Sequence, residues 1–175
     1  MIIVGVHIPT AILLPSYDQT LNILSLKTSW QTPSLLISSI ICGSKSSLIA
    51  ATAYLTIGLF YIPVFHGGGS IGYALTPEFG YLISFLPTSF LVGNLSKKIR
   101  GNKIIGYTLC SIVGLLIIHT IGVFNLLLGS LTQKWDETLY NMLFKYTIVP
   151  FFHQLLICPA VALIGITMKK ILFIK

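Results

Sequence analysis

Eleven basic and four acidic residues among 175, with 54% apolar, leave this chain far short of the charged share of a soluble domain, about a quarter. Lipid must do the solvating, and because no water reaches lipid-exposed backbone, each segment has to satisfy its own N–H and C=O groups, which selects helices. The length admits one all-α bundle, a single transmembrane domain over 1–175. The net charge of +7 does not signal nucleic acid, since the basic residues sit in short runs beside apolar segments.

Residues 2–16 are apolar but number only 15, short of the roughly 20 that cross a bilayer. They read as a short first helix and, lacking a basic leader and a small-residue cleavage site, not as a signal peptide. A second apolar stretch, 33–43, stops at the turn Gly43-Ser44-Lys45-Ser46-Ser47; a third covers 48–65. The fourth, 79–96, ends at Lys97, Lys98 and Arg100, and the fifth, 104–131, is the longest. Residues 136–149 read as an interfacial piece, with Trp135 and Tyr140 of the kind that sit at headgroup level. The sixth runs over 150–168 and ends in Lys169-Lys170. Six transmembrane helices are therefore expected.

The basic residues orient them. Lys45, then Lys97, Lys98, Arg100 and Lys103, then Lys169, Lys170 and Lys175 all fall on one side. The other side has Lys27, Lys134, Lys145 and all four acids, Asp18, Glu78, Asp136 and Glu137. The positive-inside rule makes both termini cytoplasmic in a multi-pass cell-membrane protein, with loops 16–32, 66–78 and 131–149 outward. Cys42, Cys110 and Cys158 lie far apart, without a C-x-x-C pair, and read as small apolar core residues.

The outward segment 61–85, YIPVFHGGGSIGYALTPEFGYLISF, carries the unusual chemistry. Gly67, Gly68 and Gly69 put bare backbone beside aromatic side chains, where it can approach a ligand closely or form an anion-holding nest, or simply make a tight outer turn. Catalytic patterns laid on these residues fail on context. Gly67-x-Gly69-x-x-Gly72 lies between hydrophobic spans, without an acid about 20 residues on. His66-Gly67-Gly68-Gly69 and Gly68-x-Ser70-x-Gly72 overlap, and each requires a hydrolase fold that the composition excludes. Ser70 with His119 leaves an intramembrane Ser–His hydrolase as the enzyme alternative, but one is in an outward loop and the other near mid-span. His119 is expected to donate across a helix interface or to line a polar cavity. No spacing suits a metal, and Gly43-Ser44-Lys45-Ser46 lacks the P-loop spacing. The expectation is a protein without catalytic residues, cofactor or metal, for which any ATPase must come from a partner.

The run from Gly58 to Leu95 resembles the central signature of BioY, the biotin-specific S component of energy-coupling-factor transporters. The matching pieces are Ile62-Pro63-Val64-Phe65, Gly67-Gly68-Gly69, Gly72-Tyr73-Ala74-Leu75 and Pro77-Glu78-Phe79-Gly80-Tyr81. Trp30-Gln31-Thr32 resembles the family's Leu-Gln-Thr, and Cys42-Gly43-Ser44-Lys45 its Gly-Pro-Arg turn. The likeness is good over about 28–95; beyond, it rests on hydropathy and a Pro-Phe start. It implies a six-helix protein that captures biotin from outside and passes it inward, alone or docked to a transmembrane T component and two cytoplasmic ATPase subunits.

Members of that family commonly open the last helix with Pro-Gly-Asp-x-x-Lys, whose Asp and Lys contribute to biotin recognition. Here Leu155 and Cys158 hold those positions, and Phe79 stands where the family has Gly. Gln154 is expected to take over part of the polar role, its amide offering a donor and an acceptor to a ureido ring. The expected site has walls of Phe65, Tyr73, Tyr81 and Phe85, with Gln31 and Gln154 as ureido partners. The amides of Gly67–Gly69, or Lys27, Lys134 or Lys145, are candidates for the ligand's carboxylate. The other readings are an S component for a different vitamin and a non-transporting membrane assembly protein.

Overall fold

A computed structural model describes residues 9–15, 21–65, 70–135 and 137–172. Strands β1 (Pro9–Pro15) and β2 (Leu21–Ser29) pair antiparallel, with Leu13 opposite Ile23 and an irregularity between Pro9 and Thr10. Over its described part the segment 2–16 is thus a strand and not the expected short helix. Two prolines bracket it, and proline inside a helix removes an N–H and clashes with the preceding turn.

Helix α1 (Gln31–Phe60) is continuous in sequence but reverses at Gly43, whose φ of 75° and ψ of 178° are not helical. Gln31 Nε2 donates to Tyr54 Oη at 2.8 Å across 23 residues of sequence; a straight helix would hold them about 35 Å apart. The two arms, 31–42 and 44–60, therefore fold back on each other, as expected for stretches 33–43 and 48–65. Positive φ makes glycine the fitting residue at the turn.

Next come a 3₁₀ turn (Ile71–Leu75), α2 (Phe79–Ile83) and α3 (Phe85–Lys98), then α4 (Lys103–Leu131), which starts on the Asn102 side chain accepting from Ile104 N–H at 3.0 Å. Helix α5 (Leu139–Leu143), a π turn (Phe144–Ile148) and α6 (Val149–Ile171) complete the chain. Residues from Leu139 on belong to one long helical stretch with α6, so the expected interfacial piece is not separate. The π turn ends one residue short of Pro150, which has no N–H to give and stands in the first turn of α6, where that N–H is not needed. Strand β2 runs beside α6.

Among the described residues, four stretches are long and apolar enough to cross a membrane: Gln31–Phe60, Phe79–Lys98, Lys103–Leu131 and Leu139–Ile171. Because the first folds back at Gly43, it contributes two antiparallel arms, so five of the six expected stretches are helical among the described residues. Large apolar side chains such as Leu116 and Phe124 on α4, and Leu156 and Leu163 on α6, are exposed, a surface suited to lipid and not to water.

Packing divides the bundle into two ends. At one, Leu35, Tyr54, Phe65, Phe85 and Ile118 form a core cluster; at the other, Ile40, Val92, Tyr107 and Val161 do. The second end gathers the basic residues. A Cβ added to Gly43 would lie 2.6 Å from Lys97 Cε, and Lys169 Nζ donates to Tyr107 Oη at 3.2 Å. At this turn α3 comes so close that a Cβ on Gly93 would meet Ser44 N at 2.4 Å.

Candidate ligand-binding site

At the first end, α1 contributes Gln31 and Thr32 to a cavity, the 3₁₀ turn Tyr73, and the α2–α3 stretch Glu78, Tyr81 and Phe85. The far wall comes from Ile118 and His119 of α4, and from Tyr146, Pro150 and Gln154 of the last helical stretch. The cavity holds about 140 Å³, below the roughly 300–1,000 Å³ of pockets that bury drug-sized ligands.

Each wall is fixed by packing behind it. Phe65 does not line the cavity; buried, it supports Tyr73 with ring centres 4.9 Å apart and meets Tyr54 edge-on at 5.4 Å. Tyr54 in turn stacks on Phe85 at 6.4 Å and, through its hydroxyl, donates to Val64 C=O at 3.2 Å while accepting from Gln31. Tyr81 and Phe85, four residues apart on one helical stretch, both reach the cavity, as helical spacing requires. The Tyr81 ring fits where Gly122 has no side chain, and its hydroxyl meets Thr147 Oγ1 at 2.6 Å.

The polar groups form two sets. Inside, Gln154 bridges α1 and α4: its Nε2 donates to Thr32 Oγ1 at 3.4 Å, and its Oε1 lies 3.4 Å from His119 Nε2. Both are long bonds, leaving the amide easily drawn to a better partner. His119 packs edge-on to Tyr81 and Phe151, and its buried Nδ1 has no partner among the described residues. At the covering segment, Tyr73 Oη donates to Glu78 Oε2 at 2.5 Å. Burial, then the bond to Glu78 and the Glu78 charge, push the Tyr73 phenol far above its ordinary value. The phenol is therefore a neutral donor.

Of the residues the sequence nominated, the fold brings Gln31, Tyr73, Tyr81, Phe85 and Gln154 around one space, with Phe65 behind it. Gly67, Gly68 and Gly69 lie outside the described residues. Ser70 is exposed and makes no hydrogen bond to His119. Sequence reasoning had not placed Thr32, Glu78 or Tyr146 in the site. For Glu78 a signal existed: it is one of only four acids in the chain and lies inside the unusual segment.

This arrangement suits a ligand with an apolar body and a compact amide-like head. Aromatic faces surround it, and the two glutamines offer both donors and acceptors. A family model described as the BioY family matches residues 11–173.

The chain belongs to the BioY family. Among curated relatives, the probable biotin transporter BioY of Lysinibacillus sphaericus is 30% identical over 89 residues, covering 51% of this chain and 45% of that protein. The biotin transporter BioY of Thermotoga maritima is 30% identical over 95 residues, 53% of this chain and 54% of that protein. The chain thus spans about half the length of these two relatives. A 21.2 kDa protein from the psbX-ycf33 intergenic region of Cyanophora paradoxa matches more fully, at 28% identity over 85% of this chain and 77% of its own length. A crystal structure of the S-component for biotin from an ECF-type ABC transporter superposes with a TM-score of 0.70, covering 97% of this chain and 85% of that one, at 22% identity. That likeness is one of fold alone.

Proposed function

We propose that this BioY-family chain is the substrate-capture component of a biotin transporter, taking biotin into the cavity from outside the cell and passing it inward. One observation carries the reading: Gln31 at the start of α1 and Gln154 on the neighbouring α6 line one aromatic-walled cavity. Biotin presents a ureido ring with two N–H donors and a carbonyl acceptor, a thioether ring for aromatic walls, and a flexible carboxylate tail. Two primary amides match the ureido group without placing a buried charge against a neutral head. The names of relatives and the fold likeness support the same ligand.

The basic end, with the Gly43 turn, Lys97 and Lys169, faces the cytoplasm, and the cavity end faces out. The C-terminus then lies inside. The protein sits in the cell membrane as a binding and translocating component, not an enzyme. Since the sequence has no P-loop, energised uptake takes its ATPase pair and T component from the energy-coupling-factor class.

Equilibrium binding of labelled biotin to purified protein in detergent, with desthiobiotin and thiamine as competitors, tests this. Saturable binding displaced by desthiobiotin and not by thiamine is the expected result. Displacement by thiamine, or no binding by folded protein, would transfer the chain to another vitamin or to an assembly role.

A further inference from the structure

Glu78 is the one charged group among the described residues that line the cavity, and it is an acid. A carboxylate tail placed there meets like charge, so a ligand with such a tail needs a cation near the mouth. Lys145 is placed to supply it. Its Nζ sits 4.9 Å from the ring centre of Tyr146, and that ring lines the cavity. It lies 3.7 Å from Glu137 Oε1, with both side chains more than half exposed, and close enough to Glu78 for the charges to interact. The local backbone is also unusual. Lys145 and Tyr146 belong to the π turn Phe144–Ile148, and such turns insert an extra residue that re-aims side chains, frequently at functional sites. Of the other two cations expected at this end, the Lys27 side chain lies outside the described residues, and Lys134 is exposed near Trp135, which packs on Gly129 and whose Nε1 donates to Leu75 C=O; neither Lys134 nor Trp135 lines the cavity.

We infer that Lys145 is the specificity-determining anchor for the ligand's carboxylate, exchanging Glu137 for the incoming tail at the cavity mouth. The inference rests on the biotin reading above and adds which group selects the free acid. Because Lys145 is held on an aromatic ring and by an exposed acid, little has to break for it to swing.

The test compares biotin with biotinamide, which keeps the head and loses the tail charge. Wild-type protein binds biotin about fivefold more tightly than biotinamide, the upper range for a solvent-exposed ion pair, and 0.5 M salt narrows the gap. Lys145→Gln binds the two equally, with biotinamide affinity unchanged, and Lys145→Arg restores the preference. Glu137→Gln, which frees the lysine, raises biotin affinity about twofold. An unchanged biotin-to-biotinamide ratio in Lys145→Gln overturns the inference, as does an equal loss for both ligands, which marks the lysine as structural. Failure of wild-type protein to bind either compound overturns the biotin reading itself, and the anchor with it.

Discussion

Replacing Gln154 with Ala separates a helix-bridging role from a ligand-recognition role, because the two have different magnitudes. In the free protein the amide reaches Thr32 and His119 at 3.4 Å each, beyond the roughly 2.9–3.0 Å typical of N–H···O bonds. Interhelical hydrogen bonds in membranes average about 0.6 kcal/mol, so two long ones together contribute at most about 1 kcal/mol. For a chain of this size that lowers Tm by about 2–4 °C. A bound ureido ring raises the stakes, since each polar group left unpaired in a buried site costs about 1–3 kcal/mol. Losing one donor and one acceptor then costs at least about 2 kcal/mol, a rise in Kd of roughly 30-fold or more. Binding of labelled biotin and thermal unfolding, measured on the same detergent preparation, read both quantities. An Ala variant that melts several degrees lower yet binds biotin like wild type would sink the argument and leave Gln154 as a helix tie only.

Gly93→Ala destabilises by about 1–3 kcal/mol through overpacking, because its Cβ meets the Ser44 backbone at 2.4 Å and backbone cannot swing aside. Gly43→Ala costs about 1–3 kcal/mol, because φ 75° with ψ 178° is open essentially to glycine alone, although the atom its Cβ meets is the movable end of Lys97; unfolding of both variants in detergent reads these losses. Gly122→Ala drives a methyl into the Tyr81 ring, 2.2 Å from Cε1, so Tyr81 leaves Thr147 and biotin binding weakens about tenfold, with a smaller loss of stability. The pH profile follows from Tyr73. A phenol whose folded pKa is raised contributes stability that is complete below the unfolded value, about 10, and is lost as pH rises toward the folded value. Biotin affinity should stay flat from about pH 7 to 9.5 as far as this group is concerned; a fall that vanishes in Tyr73→Phe would contradict the raised pKa.

Hydropathy made the bundle legible because lipid-facing segments have one solution, the helix. The stretches 79–96 and 104–131 match Phe79–Lys98 and Lys103–Leu131 within two residues. The turn at Gly43 was legible too, as a Gly-Ser-Lys-Ser break between apolar runs. The segments at either end were harder. Residues 9–29 are too short and too broken by proline and polar residues for hydropathy to distinguish a helix from a hairpin. Around 139–149, composition shows an amphipathic piece, but only backbone geometry joins it to α6 through a π turn. In the site, Tyr81 and Phe85 were readable from i, i+4 spacing, whereas Phe65, expected in the wall, sits behind Tyr73. The Gln31–Tyr54 pairing and the Thr32–Gln154–His119 bridge were not readable, since each joins residues that only the reversal at Gly43 and the packing of α1 against α4 and α6 bring together.

The short first arm also determines what kind of polar groups the site can use. Residues 31–42 make a helix of about 18 Å, against a hydrocarbon thickness of about 30 Å. On the proposed orientation, which puts the Gly43 turn at the cytoplasmic boundary, Gln31 begins about 12 Å beneath the outer one. The second arm continues past Tyr54 to Phe60, about 9 Å farther, so the chain rises above Gln31 before the 3₁₀ turn brings Tyr73 back over the cavity. A ligand head at Gln31 and Gln154 is therefore removed from water, where an unpaired ionic partner carries a heavy desolvation cost and an amide does not. Neutral amides and an imidazole inside, with Glu78 near the covering segment and Lys145 toward the water, follow from that depth. Tyr73 and Glu78 join the covering turn to the start of α2 at 2.5 Å, and the cavity beneath holds only about 140 Å³. On the proposed function, substitutions at this cover should change how fast biotin enters and leaves, and substitutions at Gln31 or Gln154 how tightly it is held.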